Sequence, residues 1–430
     1  MTSVSAAIFL FLLTVANLRI GKGRVLYPPF IYSFMWLIDV VVYRMSLIEL
    51  DRVHTVTWLL VCGGAFLFSL AGWVAGLLPG RIYTLRIAEF SRPAVSRLGL
   101  NLLVLVCLLA LPIYFYHFWS GGIGSGGGLF ENARKAALDT VATDQTSLAR
   151  NPITSYLPVY SIWVTILCLM EGKDRRFWTA FGASLTICIL ATGRTLPLLL
   201  FSSTLAIYLI TQRKDHIRRA WRVIAGPAIV FLALVIGIIF LEKSSKSFGG
   251  NMTAFLLNYT VAYLVSPLPA LDYVLHHGIE YMHAPSHTFG FLLRALNAFG
   301  YSFPMPNDMP VSGYVFVPLP TNVYTIYKPY LLDFGFIGLA ATILTIGFIQ
   351  TFLYLRAIAG DKICLFVTAL LVFPAVLSVF DDSYAQPVLQ VMWVGLAVLY
   401  FGFLRRLKPT MSLGALFSSR PILRGEPRGR

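Results

Sequence analysis

Between positions 320 and 335 the chain reads Pro320-Thr321-Asn322-Val323-Tyr324-Thr325, then Tyr327, Lys328, Tyr330 and Asp333-Phe334-Gly335. Amide, phenol and hydroxyl groups set this densely around one carboxylate suit a hydroxyl-rich ligand. Prolines, a capped helix start and a membrane aromatic belt account for the tyrosines here, but not for so many hydrogen-bonding groups around Asp333. Asn322, Tyr324 and Tyr330 are the candidate ligand contacts, joined by His287. Asp333 is the candidate proton acceptor, or else the cap of the helix it precedes. Asp272, His283 and His287 are the other groups able to take a proton on the same side, with Asp272 the first alternative.

The cations point to an anionic partner. Arg194 sits in Gly193-Arg194-Thr195, with Pro197 behind, and interrupts the otherwise apolar run from Phe177 to Ile210. That run must fold as a helical hairpin with one guanidinium at its tip. The arginine is either a snorkelling charge at a helix end or an anion ligand, because guanidinium holds phosphate in a bidentate fork and stays charged in any surroundings. Arg134, beside Lys135, and Arg294 pose the same choice, and three such groups on one side favour a shared anion.

Other signals are weaker. His276, His277, His283 and His287 cluster, but their spacing matches no common zinc pattern, so no metal is expected. Gly122 to Gly127 satisfies GxGxxG in letters only, since an apolar helix precedes it where a strand is needed. Neither a Walker A sequence, HExxH nor GxSxG occurs, and no cofactor is implied. Cys62, Cys107, Cys168, Cys188 and Cys364 all fall in apolar runs and read as small packing residues.

These residues must be positioned by membrane helices. Of 430 residues, 57% are apolar and 12% charged, which excludes a water-soluble fold. Continuous apolar runs of about 18 residues cross a bilayer as helices, whereas barrels show short alternating segments. The expected fold is an all-α polytopic membrane protein with about eleven transmembrane helices, near 3-18, 25-43, 57-78, 98-119, 153-171, 177-192, 196-211, 223-241, 331-353, 363-380 and 387-404. The first is read as a retained span, because it lacks the flanks of a signal peptide. Alternate connections hold 24 of the 34 Lys and Arg, so the positive-inside rule puts the N-terminus outside and the C-terminus inside. The net charge of +15 is therefore topological, and no nucleic-acid partner is expected.

The chain divides into helices one to four (1-119), an outer loop with a glycine hinge and short helix (120-152), helices five to eight (153-241), a large outer loop (242-330), helices nine to eleven (331-404) and a basic inner tail (405-430). Loops this long are functional or disordered, and their aromatic content argues for function. Within the second, Phe255 to Val274 is apolar but broken by Pro267, Pro269 and Asp272, which predicts a re-entrant or interfacial helix pair. Asp39, inside the second span, is expected to face the bundle interior.

The layout resembles the Wzy-type O-antigen polymerases, the oligosaccharide repeat unit polymerases of bacterial inner membranes. The resemblance rests on Thr321 to Thr325 with Asp333-Phe334-Gly335 entering a helix, the Thr192-Gly193-Arg194-Thr195 tip, Tyr263 followed by Ser266 to Asp272, and the Arg134 helix. It implies a multi-pass protein of the inner membrane whose two periplasmic loops carry the site. The implied activity is metal-independent transfer of a growing glycan from undecaprenyl diphosphate to an incoming repeat unit. Arg134, Arg194 and Arg294 would hold the diphosphate. Asp333 or Asp272 would serve the acceptor hydroxyl, and Asn322, Tyr324, Tyr330 and His287 the sugars. Implied partners are the lipid-linked oligosaccharide, membrane lipid and a chain-length regulator. An O-antigen ligase or a polysaccharide or lipid transporter is the alternative.

Overall fold

Helix boundaries follow capping chemistry. Thr2 opens α1 (Ser3–Ile20) with a capping box, its hydroxyl accepting the Ser5 N–H while Ser5 Oγ accepts the Thr2 N–H. The computed structural model describes residues 1–45, 50–78, 97–123, 128–133, 152–191, 195–243, 265–277, 285–303, 315–317, 320–321, 323–384 and 395. After α1 come α2 (Pro28–Met45), α3 (Thr55–Leu77), α4 (Arg97–Gly122), α5 (Pro152–Glu171) and α6 (Arg175–Leu190). They are followed by α7 (Thr195–Thr211), α8 (Ile217–Lys243), α9 (Pro267–His277) and α10 (Gly290–Ala298). A two-residue antiparallel ribbon, β1 (Val315–Phe316) with β2 (Pro320–Thr321), precedes α11 (Tyr327–Ala359) and α12 (Lys362–Leu377).

Four helices are long and apolar enough to cross a membrane: α1, α3, Leu98–Gly122 of α4, and α11. Tyr156–Glu171, Thr195–Thr211 and Lys362–Leu377 are shorter apolar helices. The protein is therefore a helical membrane protein. Ten of the eleven segments marked in the sequence coincide with helices, and 387-404 lies outside the described residues. Of the apolar stretch Phe255 to Val274, residues 255–264 lie outside the described residues, and the rest enters α9, whose 11 residues reach about 16 Å, too short to cross a bilayer by themselves. Pro267 and Pro269 fall in the first turn of α9, which needs no N–H donors, and a turn at Ser266 separates them from the helical residue Val265.

Helix α11 joins two apolar cores. Its head packs with α1, α2, α3 and α9 around Tyr32, Trp36, Phe68 and Tyr327. Its tail, through Tyr354 and Ala357, joins the core of α4 to α7 and α12. The α3–α11 contact is backbone-close: a Cβ added at Gly347 would lie 2.7 Å from the Phe68 carbonyl oxygen. Small residues allow this approach where lipid gives helices no hydrophobic incentive to associate. Buried Asn17 is fully used: the two N–H groups of its amide nitrogen face the Pro29 carbonyl, Ser33 Oγ and Ser69 Oγ, all within 3.0 Å, and its oxygen accepts from Trp73 Nε1.

The two ends of the bundle differ. At one, Arg24 Nη1 lies 3.3 Å from Asp215 Oδ2, which also accepts the Tyr354 hydroxyl at 3.0 Å. Lys362 reaches Glu171 at 3.5 Å, and Lys173 and Lys214 both sit against the Tyr208 ring. Four connections that the charge count groups on one side are thus in mutual contact. The head of α11 lies at the other end, beside α9 and the N-terminus of α3.

Candidate functional site at the head of helix α11

The segment singled out by its polar density forms the entry to α11. Thr325 adopts φ 59°, a left-handed conformation costly for a β-branched residue. Backbone bonds from Thr325 N to the Phe380 carbonyl and from Ile326 N to the Ser378 carbonyl hold it there. Ser266 Oγ and Thr321 Oγ1 lie 3.3 Å apart, tying α9 to the ribbon, and Ala270, Val317 and Tyr324 form a small core beneath. Tyr324 is buried, which pushes its phenol up from its usual pKa, and Lys328 Nζ sits 3.4 Å over its ring. Tyr330 is also buried, and its hydroxyl donates to Asp382 Oδ1 at 3.1 Å.

Asp333 occupies the break in α11. Gly335 interrupts the helix with φ 64° and ψ −169°, a region open essentially to glycine alone. The Asp333 oxygens accept the backbone N–H groups of His287 at 3.2 Å and Thr288 at 2.6 Å. These lie in the turn that leads into α10, so Asp333 anchors the helix bearing Arg294, and Phe289 meets Phe334 edge-on beside it. Among the described residues two of the carboxylate's four lone-pair positions are used, which leaves acceptor capacity for a hydroxyl.

Asp272 is more enclosed. Its Oδ1 accepts the His54 N–H at 2.8 Å and the Thr57 hydroxyl, capping α3 from another part of the chain. Its Oδ2 faces His54 Nδ1 at 2.8 Å and His276 Nδ1 at 3.7 Å. His276 was visible in sequence only as one of a histidine group, and His54 had no signal at all. Asp382, the partner of Tyr330, was also missed. The pair Asp381-Asp382 directly after an apolar span was the signal available.

Arg134, Arg194, Asn322 and His283 lie outside the described residues. Arg294 falls on α10, where the backbone alone is described. The structure thus brings Asp333, His287, Tyr324 and Asp272 to one end of the bundle with the Arg294 helix, from positions up to 61 residues apart. Asp39 is 5% exposed within α2, and its Oδ2 has no hydrogen-bond partner among the described residues. Leu111, Phe115, Tyr116, Trp119 and Leu190 line an apolar groove of about 560 Å³ between α4 and α6. No family model, curated protein or solved structure matches the chain.

Proposed function

We propose that this protein is a polymerase of undecaprenyl-diphosphate-linked oligosaccharide repeat units, of the Wzy type, with eleven spans in the bacterial inner membrane and its site facing the periplasm. The single observation that carries the reading is the gathering, at the end opposite the basic connections, of the Tyr324 to Asp333 segment with the turn and helix of His287 and Arg294. A carboxylate and aromatic side chains there share one end of the bundle with the helix that carries Arg294, and a lipid-linked glycan would present sugar and diphosphate together to such a site.

In this reading an acceptor hydroxyl at the non-reducing end of the incoming unit attacks the anomeric carbon of the growing glycan. The bond from that carbon to the lipid diphosphate breaks, and undecaprenyl diphosphate leaves. Asp333 takes the hydroxyl proton, with Asp272 the alternative, and Arg134, Arg194 and Arg294 meet the charge developing on the leaving diphosphate. Asn322, Tyr324 and His287 contact the sugars, with Tyr330 braced behind them by Asp382. The apolar groove between α4 and α6 takes part of the polyprenyl tail. A chain-length regulator in the same membrane would be the protein partner.

The test is the lipopolysaccharide of a deletion strain resolved on a gel. A core bearing one repeat unit is expected. A bare core would instead indicate a ligase or a flippase, and the buried Asp39 is the observation that keeps transport as the second reading.

A further inference from the structure

We propose that His54, Asp272 and His276 bind one divalent transition-metal ion of the zinc class, clipping α9 to the N-terminus of α3. The proposal goes beyond glycosyl transfer and does not depend on it. One ligand atom from each residue lies within 4.8 Å of the others. Asp272 and His276 are one helical turn apart on α9, so they share a face, while His54 comes from 218 residues away and its ring lies 4.0 Å from that of His276.

Helix capping explains half of this arrangement. It uses Asp272 Oδ1, which serves His54 N–H and Thr57, and leaves Oδ2 turned toward two imidazoles. Hydrogen bonds on the non-ligating oxygen are what orient a metal-binding carboxylate. Among the described residues His54 and His276 are the only ion-pair partners of this buried carboxylate. A divalent cation between the three groups would meet that carboxylate oxygen and both imidazoles at once.

The donor set of two nitrogens and one oxygen suits zinc and its neighbours, and disfavours magnesium and calcium, which take oxygen. Two ligands around tetrahedral zinc stand about 3.3 Å apart, given bonds of about 2.0 to 2.2 Å. The separations here are 2.8 and 3.7 Å, so the His54 ring must swing out by about half an ångström. Its side chain is 61% exposed and can do so. His276 Nδ1 now donates to the Asp272 carbonyl at 2.9 Å, and it must turn from that bond or coordinate through Nε2. Three protein ligands leave a position open for water or a ligand group. With Asp272 committed to a cation, Asp333 is left as the carboxylate for the transfer reaction.

The test uses the full-length protein in detergent, without a histidine tag, equilibrated with zinc chloride and washed. Elemental analysis should find one zinc per chain in the wild type and in His277→Ala, and none in His54→Ala or His276→Ala. A second measurement needs no variant: zinc should protect His54 and His276 of the wild type from diethylpyrocarbonate, read by mass spectrometry, and leave His277 reactive. No retained zinc in the wild type, equal retention in all four proteins, or modification of His54 unchanged by zinc would each overturn the site. The lipopolysaccharide phenotype is a separate readout, so failure here leaves the polymerase reading standing.

Discussion

Asp333 accepts the backbone N–H of Thr288 at 2.6 Å, so the carboxylate at the break of α11 also sets the turn from which α10 and Arg294 depart. Two roles for Asp333 then differ in outcome. As the proton acceptor, Asp333→Asn loses turnover of purified lipid-linked repeat units by about 100-fold or more while retaining binding. As a tether alone, the variant turns an amide toward an N–H donor, loses about 1.5 to 3 kcal/mol of charge-assisted hydrogen bonding, and weakens binding as well. We expect the first result. Wild-type turnover would remove Asp333 from the reaction.

The break itself is testable through Gly335. Alanine there must adopt φ 64° and ψ −169° or straighten the helix, at a cost of about 1 to 3 kcal/mol. Gly335→Ala should lower the melting temperature in detergent and abolish activity. A variant as stable and active as wild type would show that the break is not required.

Gly347→Ala should destabilise more than Gly63→Ala. The first places a methyl group 2.7 Å from the Phe68 carbonyl oxygen, where only backbone can yield, and the second meets nothing within 4 Å. The expected cost is about 1 to 3 kcal/mol against nearly none. Equal melting temperatures would mean that α3 and α11 are not packed backbone to backbone.

Asp361 carries the pH dependence of the α11–α12 connection. Burial by itself would push its carboxyl up, but the Cys364 N–H and the Arg356 guanidinium at 2.9 Å outweigh that and hold it below the usual range. Its folded value lies below the unfolded value of about 3.9. Its stabilisation is therefore fully present above that pH and lost as pH falls through the folded value. Asp361→Asn keeps a capping acceptor but loses the charge facing Arg356, so it should lose up to about 1 kcal/mol at neutral pH, and the gap to wild type should close in acid. A gap that widens on acidification would contradict the assignment.

For topology, reporters fused at Lys214 and Arg420 should read cytoplasmic, and those near Gly126 and His283 periplasmic. The contacts of Arg24 with Asp215 and of Lys362 with Glu171 make the basic connections one surface, so they must move together. A cytoplasmic signal at His283 would invert the map and remove the periplasmic site.

The arginines separate a fork from a point charge. Lysine at Arg134, Arg194 and Arg294 keeps the charge and loses bidentate geometry, so glycan ladders should shorten sharply while insertion stays normal. Wild-type ladders from the triple variant would make these ordinary interfacial charges.

Helicity and the apolar segments were legible in the sequence because the bilayer makes them local questions. Each segment must satisfy its own backbone hydrogen bonds, and transfer into hydrocarbon sums over its own residues. Hence α1, α3, α4 and α11 lie where the apolar runs do, and the basic connections meet at one end. The polar contacts were decided elsewhere. Tyr330 turns inward to Asp382, Asp333 holds a turn 45 residues behind it, and Asp272 meets His54 from 218 residues away. Which faces meet depends on the rotation and depth of each helix, and those are set by close packing such as Gly347 on Phe68. No single segment encodes that packing, so the partners of a carboxylate appear only when the whole bundle is assembled.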